Sequence, residues 1–95
     1  MLPKNRIPTH PGEVLLEEFL KPLGVTQKGF AEHLGVPNQR INEIVRGKRG
    51  VSSETAWLFS AALNTTPEFW MNLQAQHDLA LTRPQKGVKR LRRSA

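Results

Sequence analysis

Apolar residues recur along the chain at the spacing of amphipathic helices. In residues 10–24 they lie three or four positions apart and form one stripe, as expected for a helix with one buried face. The stripe consists of Leu15, Leu16, Phe19, Leu20 and Leu23. We predict that this first helix starts at His10-Pro11, because a proline in the first turn lacks only an N–H that would have no helical partner. Pro22 and Gly24 are predicted to end it.

Capping residues and terminal glycines indicate four further helices. Thr26 is suited to cap the second helix and Gly35 to end it, because a hydroxyl accepts from free N–H groups and glycine adopts the left-handed conformation at low cost. The same reasoning predicts a third helix from Pro37 or Asn38 to Arg46, a fourth capped by Ser52 or Ser53, and a fifth from Thr66-Pro67-Glu68 to Leu81. No segment has the alternation of a strand. The predicted fold is all-α with five helices.

The segment TQKGFAEHLGVPNQRI has the spacing of a helix-turn-helix. Ala31 supplies a small residue where two helices cross, and Gly35 tolerates the positive φ that the turn requires. The outer face of the second helix of such a motif can enter the major groove of DNA. An alternative is a helical pair with a structural role only. The predicted framework consists of Phe30, Ala31, Leu34, Gly35, Val36, Ile41 and Ile44.

The polar residues at the start of the third helix do not serve the core, which makes them candidates for base recognition. Asparagine and glutamine pair with adenine, arginine with guanine, and glutamate accepts from cytosine. Pro37 stands at the capping position without a side-chain oxygen. The alternative is a solvated polar face. For Glu43, whose charge repels phosphates, a further alternative is that its carboxylate orients Arg40 or Arg46 instead of reading a base. The predicted base-reading residues are Asn38, Gln39, Arg40, Asn42 and Glu43.

Phosphate contacts are expected on both sides of this helix. The second helix begins with Gln27 and Lys28, where free N–H groups and the helix dipole attract anions. Basic residues also follow the third helix in the stretch RGKR. Such contacts fix the register of a protein on DNA without reading its sequence. The alternative is an ordinary charged loop. The predicted phosphate-binding residues are Gln27, Lys28, Arg46, Lys48 and Arg49.

The fifth helix is the predicted dimer element. A helix-turn-helix that reads palindromic DNA acts as a two-fold dimer, with half-sites about one DNA turn apart. Adjacent aromatic residues on a helix point in different directions, so one can enter the core while the other meets a partner. The predicted interface is formed by Phe69, Trp70 and Leu73, and the alternative is that both aromatics belong to the core. Trp57 is expected in core or semi-exposed packing.

Charge separates the body of the chain from its end. The net charge is +6, yet residues 1–82 contain eight basic and eight acidic residues. Residues 83–95 carry the excess of positive charge and are predicted to form a basic, flexible tail, which either contacts nucleic acid or is simply solvated. Residues 1–9, which include Pro3 and Pro8, are predicted to form an extended arm, and residues 10–82 the helical domain.

Composition excludes several classes of function. The chain has no cysteine, and its three histidines lack the spacing of a metal site. No motif of a nucleophilic enzyme or a phosphate-binding loop is present. Neither a signal sequence nor an apolar run of the roughly 20 residues that span a bilayer occurs. We therefore predict a cytoplasmic protein with no catalytic residues, metal or cofactor, and no membrane partner.

Residues 10 to about 81 resemble the HigA branch of the Xre/Cro/CI helix-turn-helix proteins, and proteins called virulence-associated protein I. The specific features are HPGE near the start and TPEFWMNLQ in the fifth helix. The resemblance implies a lambda-repressor-like fold and an antitoxin that binds an inverted-repeat operator in double-stranded DNA as a homodimer. It also implies repression of its own operon and neutralisation of a RelE-like mRNA endonuclease toxin. By motif position, the operator readers are Asn38, Gln39, Arg40 and Glu43, with Gln27 as a phosphate contact.

Two other functions are left open by the sequence. A stand-alone phage-type repressor would use the same helix-turn-helix without a toxin. A protein-interaction module could have lost DNA binding, although the polar character of Asn38, Gln39 and Arg40 argues against that loss. The tail PQKGVKRLRRSA has no role that the resemblance explains.

Overall fold

The computed structural model describes residues 8–84 and 86–92. Most of the predicted arm, residues 1–7, and the end of the predicted tail, residues 93–95, lie outside this range. The described residues contain helices and no strand, so the prediction of an all-α fold with five helices is confirmed. Helix α1 combines Pro11–Val14, Leu15–Leu20 and Lys21–Leu23; the others are α2 (Gln27–Leu34), α3 (Asn38–Val45), α4 (Ser53–Leu63) and α5 (Pro67–Leu81).

The helix starts lie where the capping residues predicted them. Thr26 accepts a hydrogen bond from the Gly29 N–H at 2.9 Å. Ser52 accepts from the Thr55 N–H at 3.3 Å, and Thr66 accepts from the Phe69 N–H at 3.1 Å. Each bond satisfies one of the backbone donors that a helix leaves free at its start.

The middle of α1 departs from the predicted α-helix. Leu15–Leu20 is π-helical, with hydrogen bonds five residues apart rather than four. Leu15 and Leu20 are themselves five residues apart, and both side chains are fully buried. The wider turn thus keeps two leucines on the core side. A stripe of apolar residues read at a period of 3.6 does not reveal this change.

Trp70 lies at the centre of the core. Its ring is 5.1 Å from that of Phe59 and 5.4 Å from that of Phe19 between centroids, and its Nε1–H donates to the Thr65 hydroxyl at 2.7 Å. The side chain has no exposed surface. The prediction that Trp70 contacts a partner is therefore wrong, because its ring is enclosed within the protomer.

The two tryptophans have opposite environments. Trp57 on α4 is 65% exposed, so the expectation of core or semi-exposed packing was wrong for this residue. A helix composed largely of apolar residues gives a weak signal of which face is buried. The buried positions of α4 are Thr55, Ala56, Phe59 and Ser60.

Two contacts fix α3 and the loop after it against the rest of the domain. Gly12 of α1 lies against the backbone of Ile44 and Val45, with no room for a side chain. The buried Gln74 of α5 accepts a hydrogen bond from the Val51 N–H at 2.7 Å. Since both contacts involve backbone atoms, the orientation of α3 is set by close packing at its C-terminal end.

A pair of histidines joins the start of α1 to α5. The His10 Nδ1 accepts a hydrogen bond from the Gly12 N–H at 2.9 Å and so caps α1. The His10 and His77 rings meet edge to face at 4.9 Å, and the His77 Nδ1–H donates to the Pro8 carbonyl at 2.7 Å. Burial lowers the pKa of His10, the neighbouring His77 lowers it further, and Asp78 opposes both effects.

We expect the domain to lose stability in mild acid through His10. Because its pKa is lowered in the folded state, the unfolded chain takes up this proton first as the pH falls below about 6.5. The contribution is complete above that pH and is lost as the pH falls through the lower pKa of folded His10. Protonation removes the Nδ1 acceptor, and a lost cap costs about 1 kcal/mol.

The measurement is urea unfolding of the wild type and of His10→Asn at pH 7.5 and pH 5. Asparagine caps helices and does not titrate in this range. The variant should therefore show the smaller loss between the two pH values. Equal losses in the two proteins would contradict the assignment to His10.

Candidate nucleic-acid interface

Helices α2 and α3 have the geometry of a helix-turn-helix. Gly35 ends α2 with a φ of 75°, and the Val36 N–H donates to the Ala31 carbonyl at 3.0 Å, which turns the chain sharply into α3. Ala31 is buried at the crossing of the two helices. The framework side chains are buried for Phe30, Ala31, Ile41 and Ile44 and partly buried for Leu34 and Val36.

The opposite face of α3 presents polar side chains. Asn38 and Gln39 are exposed at its start, whereas Arg40, Asn42 and Glu43 are partly buried by contacts within the protein. Pro37 precedes the helix and forms no side-chain cap, as predicted for a residue without a side-chain oxygen. The first turn of α3 therefore has no side-chain cap next to its exposed amides.

Neighbouring helices hold two of the partly buried side chains. The Arg40 guanidinium lies 3.4 Å from the Glu54 carboxylate on α4. The Asn42 Nδ2–H donates to the Gln27 Oε1 on α2 at 3.2 Å. Gln27, predicted as a phosphate contact, thus also fixes a predicted base reader. Glu54 was missed in the sequence, since no motif relates it to a residue 14 positions away.

Glu43 forms the most extensive set of contacts on this face. One carboxylate oxygen accepts from the Arg49 Nε–H at 2.9 Å and lies 2.8 Å from Arg49 Nη2, while the other accepts from the Gln39 Nε2–H at 3.3 Å. The hydrogen bond from Arg49 is the main cause of the lowered pKa of Glu43, and the charges of Arg49 and Lys48 act in the same direction. Glu43 is therefore an anion at neutral pH.

The loop after α3 is folded back onto Glu43. The Glu43 backbone carbonyl accepts from the Lys48 N–H at 2.8 Å and from the Arg49 N–H at 3.2 Å. Arg46, Lys48 and Arg49 are exposed on this loop, and Lys28 is exposed near the start of α2. The predicted phosphate contacts therefore flank the polar face of α3 from two sides.

With Trp70 buried, Phe69 and Leu73 are the residues of the predicted dimer interface that still reach the surface, and they lie on one flank of α5. Phe69 is 38% exposed and Leu73 is partly buried. The inner edge of the Phe69 ring packs against Phe19 and Trp70. Phe69 thus has one face in the core and one face in solvent.

Two further features are absent from the described ranges. Residues 8–84 and 86–92 contain no cluster of three or more side chains able to hold a metal ion. No helix of these residues has the length and apolar character needed to cross a membrane.

A model of the helix-turn-helix family HTH_3 matches residues 16–70. Virulence-associated protein I of Dichelobacter nodosus is 40% identical over 84 residues, or 87% of this chain and 78% of that protein. Antitoxin HigA-1 of Vibrio cholerae is 42% identical over 80 residues, or 83% of this chain and 74% of that protein.

A solved structure of antitoxin GraA in complex with its operator has the same fold. It superimposes with a TM-score of 0.83 at 40% sequence identity, covering 98% of this chain and 100% of that one. Together with the two relatives, it confirms the resemblance that HPGE and TPEFWMNLQ indicated.

Proposed function

The chain belongs to the helix-turn-helix family HTH_3, and from its similarity to HigA and GraA antitoxins we propose that it is a HigA-like antitoxin. It binds operator DNA in the cytoplasm as a homodimer and represses its own operon. It also neutralises a RelE-like mRNA endonuclease toxin. The observation that carries DNA binding is the exposed polar face of α3, held by the framework of α2 and flanked by basic side chains. Antitoxin HigA-1 is 42% identical to this chain, and antitoxin GraA, which is 40% identical, is solved in complex with its operator.

The side chains of α3 divide into two roles in this proposal. Asn38 and Gln39 enter the major groove first, because they are the exposed residues at the start of the helix. Arg40 and Asn42 follow, each held in place by a neighbouring helix before DNA arrives. Holding a side chain in the free protein reduces the entropy lost on binding.

Phosphate contacts come from the two flanks. Lys28, Arg46 and Lys48 are exposed and can meet the backbones on either side of the groove. Gln27 contributes at the start of α2, where the helix dipole favours an anion. These contacts give affinity that falls with salt and is the same for all sequences.

The dimer is proposed to form through the Phe69–Leu73 flank of α5. Phe69 keeps an exposed face, and Leu73 lies one turn further along the same side. Burying this apolar strip against its two-fold copy would place two α3 helices for successive half-sites. Trp70 supports the flank from within the core and makes no contact across the interface.

The test is a selection from a random pool of DNA duplexes at near-physiological salt. Enrichment of an inverted repeat is the expected result, and the repeat should recur upstream of the gene. A pool without enrichment would overturn operator binding. Co-purification with a small basic protein encoded beside the gene tests the toxin partner. Its absence, with an inverted repeat still enriched, would instead identify a stand-alone repressor.

Arg40→Ala is expected to relax the preference at one base pair of the enriched site and to weaken binding there by about 1–3 kcal/mol. The reason is the loss of a guanidinium that pairs with guanine. The measurement is the base preference from the same selection, with affinities for the enriched site and its single-base variants.

The matched control for Arg40→Ala is Lys48→Ala. Lys48 lies on the exposed loop, so its loss should weaken binding to all sequences equally and flatten the salt dependence by about one ion. An unchanged preference in Arg40→Ala would remove that residue from the readers. A changed base preference in Lys48→Ala would remove Lys48 from the phosphate contacts.

A further inference from the structure

The contacts of Glu43 point to a role other than base recognition. A glutamate that reads cytosine needs a carboxylate oxygen free to accept from N4. Here one oxygen lies between two donors of Arg49, and the other accepts from Gln39. Reading cytosine through the second oxygen would compete with the Gln39 bond, and the first oxygen already takes both donors of Arg49 in a short, charge-assisted contact.

The bond between Gln39 and Glu43 decides which way the Gln39 amide faces. A carboxylate anion only accepts hydrogen bonds, so the amide nitrogen of Gln39 turns towards it and the amide oxygen turns away. One N–H is then used by Glu43, at an Nε2 to Oε2 distance of 3.3 Å. The oxygen and the second N–H stay available to a ligand.

This pair of free groups matches one base in the major groove. Adenine offers an N6–H donor and an N7 acceptor, and a glutamine reads it with one oxygen and one N–H. The reverse orientation of the amide would set oxygen against N7 and nitrogen against N6. An amide that is already fixed in the first orientation therefore favours adenine. An amide that rotates freely would lose conformational entropy on being oriented by the base.

We propose that Glu43 is a positioning residue that orients Gln39 to read adenine, while the same carboxylate holds Arg49 beside the phosphate backbone. This inference rests on the proposed function. The Glu43 backbone supports the same arrangement, since its carbonyl holds the N–H groups of Lys48 and Arg49. Glu43 thereby joins sequence reading on α3 to the phosphate-binding loop.

The experiment compares the wild type with Gln39→Ala, Glu43→Ala, Glu43→Gln and the double variant Gln39→Ala/Glu43→Ala. Each full-length protein is used in the duplex selection and titrated with the wild-type site and its single-base variants at several salt concentrations. Helix content and thermal unfolding are recorded for each protein. Glu43→Gln is the conservative variant, because its amide keeps the length of the side chain but has no charge and can donate to Gln39 as well as accept from it.

We expect Gln39→Ala to lower the adenine preference at one base pair by about tenfold. Glu43→Ala should reduce the preference at that same base pair by roughly threefold or more, and should add nothing there in the double variant. Glu43→Gln should give an adenine preference between those of the wild type and Glu43→Ala, since its amide allows both orientations of Gln39. It should also change the salt dependence, since the charged partner of Arg49 is lost.

Three results would overturn the inference. The first is loss of a cytosine preference at a different base pair in Glu43→Ala, which would make Glu43 a direct reader. The second is uniform weakening at all positions with the adenine preference intact. The third is an additive effect in the double variant. Failure of the wild type to enrich any sequence would overturn the proposed function itself, and this inference with it.

Discussion

Trp70→Ala is expected to lower the free energy of unfolding by about 3–5 kcal/mol. The side chain is fully buried, and its ring meets those of Phe59, Phe19 and Phe69 at centroid distances of 5.0–5.4 Å. Its removal also leaves the Thr65 hydroxyl without the donor that it now accepts from. A domain of this size is stable by about 5–15 kcal/mol, so the variant should be close to unfolding at room temperature.

The measurement is the unfolding midpoint in urea, followed by circular dichroism, with Trp57→Ala as the matched control. Trp57 is 65% exposed, so its removal should change the free energy of unfolding by about 0.5 kcal/mol or less. Equal losses in the two variants would contradict the placement of Trp70 at the centre of the core. The pair also tests the proposed dimer, because a stable Trp57→Ala protein that no longer dimerises would place the interface on α4 instead of α5.

Helix positions could be predicted because local residues determine them. Thr26, Ser52 and Thr66 each cap a helix with a hydroxyl that bonds three residues ahead, which sequence spacing alone can show. The fold class follows from the same local signals together with the absence of strand patterns. The turn into α3 was predicted in the same way, since it requires a positive φ at Gly35.

The remaining features depend on residues that are distant in sequence. The sequence allowed either of the adjacent aromatics, Phe69 or Trp70, to face the core. Only the packing of Phe19 and Phe59 shows that Trp70 does so. The pairing of Arg40 with Glu54 requires α4 to lie beside α3. Glu43 illustrates the limit best, because its residue type suits a base reader while its partners Gln39 and Arg49 assign its carboxylate to the protein.

The second large effect is expected at Gly12. A methyl group at this position would overlap the Ile44 carbonyl and stand 2.9 Å from the Val45 Cα, so α1 and α3 would have to separate. Both contacts are with backbone atoms, which cannot turn aside as a side chain can. We expect Gly12→Ala to lower the free energy of unfolding by about 3 kcal/mol, at the upper end of the cost of overpacking.

Gly12→Ala should also weaken operator binding in the part of the population that stays folded. The contact lies at the C-terminal end of α3, so moving α1 away changes the orientation of α3 relative to the rest of the domain. The control is Gly87→Ala in the tail, where an added Cβ meets nothing within 4 Å and neither stability nor affinity should change. The two variants are compared by thermal unfolding and by titration with the selected duplex. A Gly12→Ala protein as stable as the wild type would show that α1 and α3 are less tightly joined than their backbones indicate. If Gly12→Ala lost stability while its folded fraction kept the affinity for the duplex, the packing of α1 would not determine the orientation of α3.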